Sequence, residues 1–153
     1  MKSSKYTILI LTALFFSCGN SQKNSSEKLE KDLYDEVIGI HDEVMPKMST
    51  LLALENDLKE KIQEVDTSGT NSAEEIKKLN DQISQLQVVD EAMMQWMRNF
   101  QVDQEGWSHD SVMNYMEQEK KSISQVRDQM LEVIDSSEKL LGNWGNWVIK
   151  VNR

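Results

Sequence analysis

Seven of the nine methionines in this 153-residue chain fall into three short clusters: Met45 and Met48; Met93, Met94 and Met97; Met113 and Met116. Thioether sulfur is soft and polarizable, so a layer of such side chains suits Cu(I) or Ag(I), and an imidazole can complete the donor set. His41, Met45 and Met48 are spaced i, i+4, i+7, which places them on one helix face. Pro46 sits among them. It has no N–H to offer the Asp42 carbonyl four residues back, so a helix through this segment kinks beside His41. The soft-metal reading takes His41, Met45, Met48, Met93 and Met97 as ligands. The competing reading is packing, because methionine fills irregular gaps in cores and lines adaptable binding surfaces. On that reading no cofactor is needed, and copper is the alternative. Haem between one His and one Met is a third option, but three helices leave a porphyrin little room.

Asp90 and Glu119 are two of the polar interruptions in the apolar stripes, beside Glu55 and Ser137, and could form a carboxylate pair for acid–base work. Such a pair needs a cleft and an activated nucleophile. No phosphate loop, G-x-S-x-G turn or H-E-x-x-H helix accompanies it, so the expectation is a non-enzymatic protein.

The elements that must position these side chains are helices. From Glu27 to about Val65 the residues Leu29, Leu33, Val37, Ile40, Val44, Met48, Leu51, Leu58, Ile62 and Val65 advance by threes and fours. The turn residues from Asp66 to Ser72 end this first helix. Ser72 and Glu75 then read as a capping box opening a second helix to about Phe100, with a stripe of Ile76, Leu79, Ile83, Leu86, Met93, Met97 and Phe100. A second turn, Val102 to Trp107, contains Gly106. Ser108 caps a third helix, with Trp107 and Val112 as its hydrophobic staple and Val112, Met116, Ile123, Val126, Met130, Val133 and Leu140 as its stripe. Gly142 reads as the C-cap glycine. Beyond it, Trp144 and Trp147 lie in a tail expected to be non-helical, capping the bundle or forming an exposed aromatic binding patch.

Long helices joined by short turns predict an all-α, antiparallel three-helix bundle with coiled-coil-like packing. Folding back about Gly69 sets His41 against Met97 and Met45 against Met93. Folding back near Glu105 sets Met97 against Met113 and Met94 against Met116, which gathers all three clusters into one slice.

The first residues address a different question. Lys2 and Lys5 precede an apolar run from Tyr6 through Phe16, too short for the roughly 20 residues that cross a bilayer and built like a secretory signal peptide. Ser17 leads into Cys18, the only cysteine. Phe15-Phe16-Ser17-Cys18 resembles the lipobox of bacterial lipoproteins, and the chain as a whole resembles the small helical envelope lipoproteins of two-membrane bacteria. That resemblance implies cleavage before Cys18 and its acylation as the new N-terminus. Gly19 stands where those lipoproteins carry an inner-membrane Asp, which implies the outer membrane. No acidic run follows the cysteine, which implies the periplasmic face.

The resulting organisation is a signal peptide at 1–17, lipidated Cys18 and a flexible tether at 18–26, the bundle at 27–141, and the tail at 142–153. The whole chain carries 17 Lys and Arg against 26 Asp and Glu, a formal net charge of −9. Losing Lys2 and Lys5 takes the net to −11. Such a surface repels nucleic-acid phosphates and anionic lipid alike, so membrane attachment falls to acyl chains and the expected partner is another periplasmic protein. With Cys18 acylated, no thiol remains for disulfides, zinc or nucleophilic chemistry.

Overall fold

Three amphipathic stripes need one another, because each leaves an apolar face that only a neighbouring helix can take out of water. In the computed structural model, which describes residues 19–151 and side chains from 23 to 142, they do so as an all-α bundle. Helix α1 spans Gly19–Val44, a 3-10 turn covers Met45–Lys47, and α2 continues over Met48–Glu64. Helix α3 spans Ser72–Asn99 and α4 spans His109–Val151. The α1–α2 rod and α4 run the same way, with α3 antiparallel between them. Helix α1 packs chiefly on α4, and α2 on α3.

The kink falls where Pro46 demands it. The 3-10 turn closes with the Met48 N–H donating to Met45 O, and Ser49 Oγ donates to Pro46 O at 2.8 Å, satisfying a carbonyl at the break. The stripe residues Leu33, Val37, Val44, Leu51, Leu58, Leu79, Ile83, Leu86, Met93, Val112, Met116, Ile123, Val126, Met130 and Val133 are all buried in one core. Leu54, Val89 and Trp96 join them, as three-residue steps that the stripes above pass over. Ser137 is buried too. Gln82 Nε2 donates to its hydroxyl at 2.9 Å and to Ser136 Oγ at 2.8 Å, while Ser137 Oγ donates to Val133 O, so the polar break in the α4 stripe is matched from α3.

Five details differ from the sequence-based expectation. Residues 19–26 are helical and not a flexible tether. They contain no proline, and lengthening an existing helix adds hydrogen bonds without a second nucleation cost. Leu29 is 51% exposed: α3 ends opposite Tyr34, so α1 has only α4 beside it at this level, and it is the adjoining Glu30 that meets α4. Ser72 is the first residue of α3 and not its cap; its hydroxyl donates to Gly69 O at 2.9 Å, and no side chain caps this end. Helix α4 runs through Gly142 to Val151, so the tail is helical as far as the described residues reach. Gly142 does not adopt the left-handed backbone that ends helices, and a lone right-handed glycine costs a helix only about 1 kcal/mol.

The fifth difference is one of register. Phe100 leaves α3 in an extended conformation, so the connection to α4 is not a tight reversal. Contacts such as Phe100 with Tyr115 and Gln82 with Ser137 displace α4 by more than one helical turn from the expected Met97–Met113 pairing. Gly106, with φ of 82°, supplies the left-handed residue this connection needs. Ser108 does cap α4, accepting from the Ser111 N–H at 3.2 Å. Cys18 and the signal-peptide segment lie outside the described residues, as do the side chains of Trp144 and Trp147.

Candidate functional site

The register of the first hairpin is the expected one: Gln87 Nε2 donates to Glu55 Oε1 at 2.8 Å, and His41 lies against Trp96. Met45, Met48, Met93, Met94 and Met97 therefore share the level of the proline kink. The displaced α4 carries Met113 and Met116 away from that level, so the single slice of three clusters does not form. Burial divides the rest. Met93 is fully buried in the core, Met48 and Met97 are half-buried against it, and Met45 and Met94 are each 38% exposed.

His41 sits at the kink with its Nδ1 on Asp42 Oδ1 at 2.9 Å and its ring stacked on the indole of Trp96, centroids 5.6 Å apart. Its partner on α3 is Trp96 and not Met97. From there an aromatic chain extends toward the α3–α4 connection. Trp96 stacks on Phe100 at 4.9 Å, Phe100 meets Tyr34 at 6.1 Å and Tyr115 at 6.2 Å, and Trp107 meets Tyr115 edge-on at 5.3 Å. Every described aromatic side chain belongs to this cluster. It ties α1, α3 and α4 together, and the Gln101 N–H donating to the Tyr115 hydroxyl at 2.7 Å holds the connection against it. Trp96 was discernible as the three-residue step after Met93. Phe100 closes the second-helix stripe and Trp107 is the staple residue, whereas Tyr34 and Tyr115 sit off the regular stripes and announce themselves only through the register. Trp107 thus packs on Tyr115, one turn beyond the staple position at Val112.

Glu119 lies beneath this cluster. Burial pushes its carboxyl above the ordinary carboxylate range, with the Trp96 N–H pulling the other way. No well-formed hydrogen bond joins the two, and the Trp96 Nε1 atom is buried without a partner. Asp90 is half-buried on the opposite, α2-facing side of α3, so the two carboxylates face different seams and do not pair. His109 does not simply face solvent: its Nδ1 meets Glu30 Oε1 of α1 at 2.6 Å, and Lys120 pairs with Glu36 beside it, pinning the start of α4 to α1.

The carboxylates make opposite contributions to the pH profile. Glu119, raised in the fold, favours the protonated form; its stabilising contribution is complete below the unfolded value near 4.5 and is lost as pH rises through the folded value. Glu55 is lowered, first by its hydrogen bond from Lys59 at 2.6 Å and then by that from Gln87, so its contribution is present above the unfolded value and lost on acidification. Glu119→Gln is therefore expected to raise the melting temperature at pH 7 and leave it nearly unchanged near pH 3.5, whereas Glu55→Gln lowers it most at pH 7 and less as the solution is acidified. Thermal unfolding at the two pH values checks both signs.

Among the described residues no group of three or more His, Cys, Asp and Glu is placed to hold a metal ion. Of the thioethers, Met45 and Met94 at the kink are exposed, and Met48, Met97 and Met113 are half-buried. Set against family models, curated proteins and solved structures, the chain matches none of them.

Proposed function

We propose that this protein is a non-enzymatic lipoprotein of the cell envelope, anchored through acylated Cys18 to the periplasmic face of the outer membrane, whose acidic helical bundle binds or scaffolds another periplasmic protein. The observation that carries the binding role is the surface around the Pro46 kink. Met45, Met94 and Leu52 stand exposed there at neighbouring levels of the first hairpin. Exposed apolar side chains in a group mark interaction surfaces more often than single ones do. The anchoring role rests on the resemblance around Cys18 and on the helices themselves, none of which, among the described residues, is long and apolar enough to cross a membrane.

Cys18→Ser is the direct test of the anchor. The variant is expected to leave the bundle folded and to move from the membrane pellet to the soluble fraction. Continued pelleting after a high-salt wash contradicts acyl anchoring, since a surface of this net charge has no attraction to anionic lipid. The binding role is tested separately by chemical cross-linking in intact cells, where a discrete larger species is expected and only uncoupled protein contradicts it.

A soft-metal role would use the sulfurs of Met45, Met48, Met93 and Met97, with His41 as the nitrogen donor. Under the protein-binding reading, Cu(I) supplied against a competing chelator leaves the melting temperature unchanged. A ligand that prefers the native state must raise it by mass action, so a Cu(I)-dependent rise abolished by Met→Leu substitution at these positions would favour the metal.

A further inference from the structure

The binding-module reading leaves open what kind of surface docks on the bundle, and the α2–α3 seam beside the kink narrows it. A groove of about 390 Å³ runs along this seam, lined by Met48, Ser49, Leu51, Leu52, Glu55, Leu86 and Asp90. Its floor is apolar. Leu52, 60% exposed, forms part of its α2 wall, and Met45 and Met94 continue the apolar surface past the kink at the same level of the hairpin.

Three properties of this surface select among occupants. The first is its setting: two antiparallel helices flank it, and such a seam accepts a further helix by the ridges-into-grooves packing that the bundle already uses. The second is side-chain type. Four of the apolar groups at this level, Met45, Met48, Met94 and Met97, are thioethers, whose flexible unbranched chains adapt to varied apolar partners. The third is charge. Asp90 lines the groove half-buried and makes no ion pair. Glu55, also on the groove, keeps only Lys59 as a cationic partner. Of the residues that line the groove, Glu55 and Asp90 are acidic and none is basic; Lys59 is committed to Glu55, so the charge left on the groove wall is negative. A second copy of this chain, at net −9, meets like charge there. A Lys- or Arg-bearing helix does not.

We propose that the α2–α3 groove docks a basic amphipathic helix of a partner protein, its apolar face on Met45, Met48, Leu52 and Met94 and a lysine or arginine beside its apolar stripe paired with Asp90. Docking removes the Asp90 carboxylate from water only when a cation accompanies it, which makes the groove selective against neutral and acidic helices of equal hydrophobicity. This inference rests on the binding-module reading.

The test uses the natively processed full chain in phosphatidylcholine nanodiscs, with empty nanodiscs as the blank. The probe is a fluorescent 18-residue Leu/Lys amphipathic helix, alongside a Leu/Glu helix of the same pattern. The Leu/Lys helix is expected to bind at least tenfold more tightly than the Leu/Glu helix, and to weaken as salt rises. Leu52→Asp combined with Met94→Asp, both at exposed positions, is expected to lower its affinity at least tenfold, and Asp90→Lys to narrow the gap between the two helices. Val88→Asp, on the opposite α3–α4 seam, is the control and is expected to leave binding unchanged. Equal binding of the two helices, no binding of either, or loss of binding in the Val88 control but not at Leu52 and Met94 overturns the proposal. If cells still yield a discrete cross-linked species in that case, the binding role stands and only this groove is excluded; loss of both results removes the binding role itself.

Discussion

Leu51→Ala is expected to lower the free energy of unfolding by about 2–4 kcal/mol, the usual cost of emptying a well-packed leucine site. Leu51 is almost wholly inaccessible and sits one turn beyond the Pro46 break. The cavity has little means of collapsing there. The rod is divided at Met45–Lys47, so α2 must be held in place by its own buried residues Leu51, Leu54 and Leu58 packing on α3. Losing the first of them loosens the segment that carries the groove wall. Ile83→Ala, from the facing stripe of α3, belongs in the same range. Lys121→Ala, at an exposed position of α4 with no ion pair, is expected to stay within about 0.5 kcal/mol. Urea unfolding followed by far-ultraviolet circular dichroism measures all three, and equal effects at Leu51 and Lys121 would mean that the stripe is not the core.

Trp96→Ala is expected to be at least as damaging, at about 3–5 kcal/mol, the range for emptying a buried aromatic site. The indole is 7% exposed and lies between the His41 and Phe100 rings. Removing it takes out the ring that joins α1 to the rest of the aromatic cluster. Trp96→Phe separates two causes. It keeps much of the ring stack and removes the buried Nε1–H, which has no partner and so adds a desolvation cost to the fold. The phenyl variant should therefore lose far less than the alanine variant, below about 1.5 kcal/mol. If the two lose equally, the indole nitrogen contributes a bond to Glu119 that the geometry does not show, and Glu119→Gln would then raise stability at pH 7 by more in the Trp96→Phe background than in the wild type, because the buried carboxylate has lost the donor that favours its charged form.

Several features of the site depend on residues whose local chemistry is unambiguous. Pro46 breaks the first helix because its ring and missing N–H act on the adjacent turn whatever the rest of the chain does. The turn at Asp66–Gly69 is equally local: Asp66 Oδ1 accepts from the Ser68 N–H at 2.9 Å, and the Gly69 N–H closes on Asp66 O. Because that turn is short, it also sets the register of the first hairpin, which is why the level of Met45, Met48, Met93 and Met97 is legible from residue numbers.

The second connection behaves differently. An extended Phe100 and a left-handed Gly106 can be joined in many ways, and no local preference decides how far α4 slides along α3. Packing decides it: Phe100 and Tyr115 meet, Gln82 finds Ser136 and Ser137, and Glu119 comes to rest under Trp96. Small local signals fail for the same reason. Ser72 and Glu75 match a capping box, yet the chain enters α3 one residue earlier, at Asn71, and the Ser72 hydroxyl turns to Gly69 O. Gly142 matches a C-cap, yet the helix passes through it.

The sequence alone thus determined the helical class, the number of long amphipathic stripes, the kink and the level of the first two methionine clusters, since each follows from periodicity or from one residue's covalent geometry. Tertiary structure alone decided which methionines are core and which are surface, the partner of His41, the separation of Asp90 from Glu119 and the existence of an acidic-edged groove. Those properties depend on how far one helix slides and turns against the next. A shift of one turn changes every side-chain neighbour while leaving the apolar period untouched, so periodicity carries no record of it.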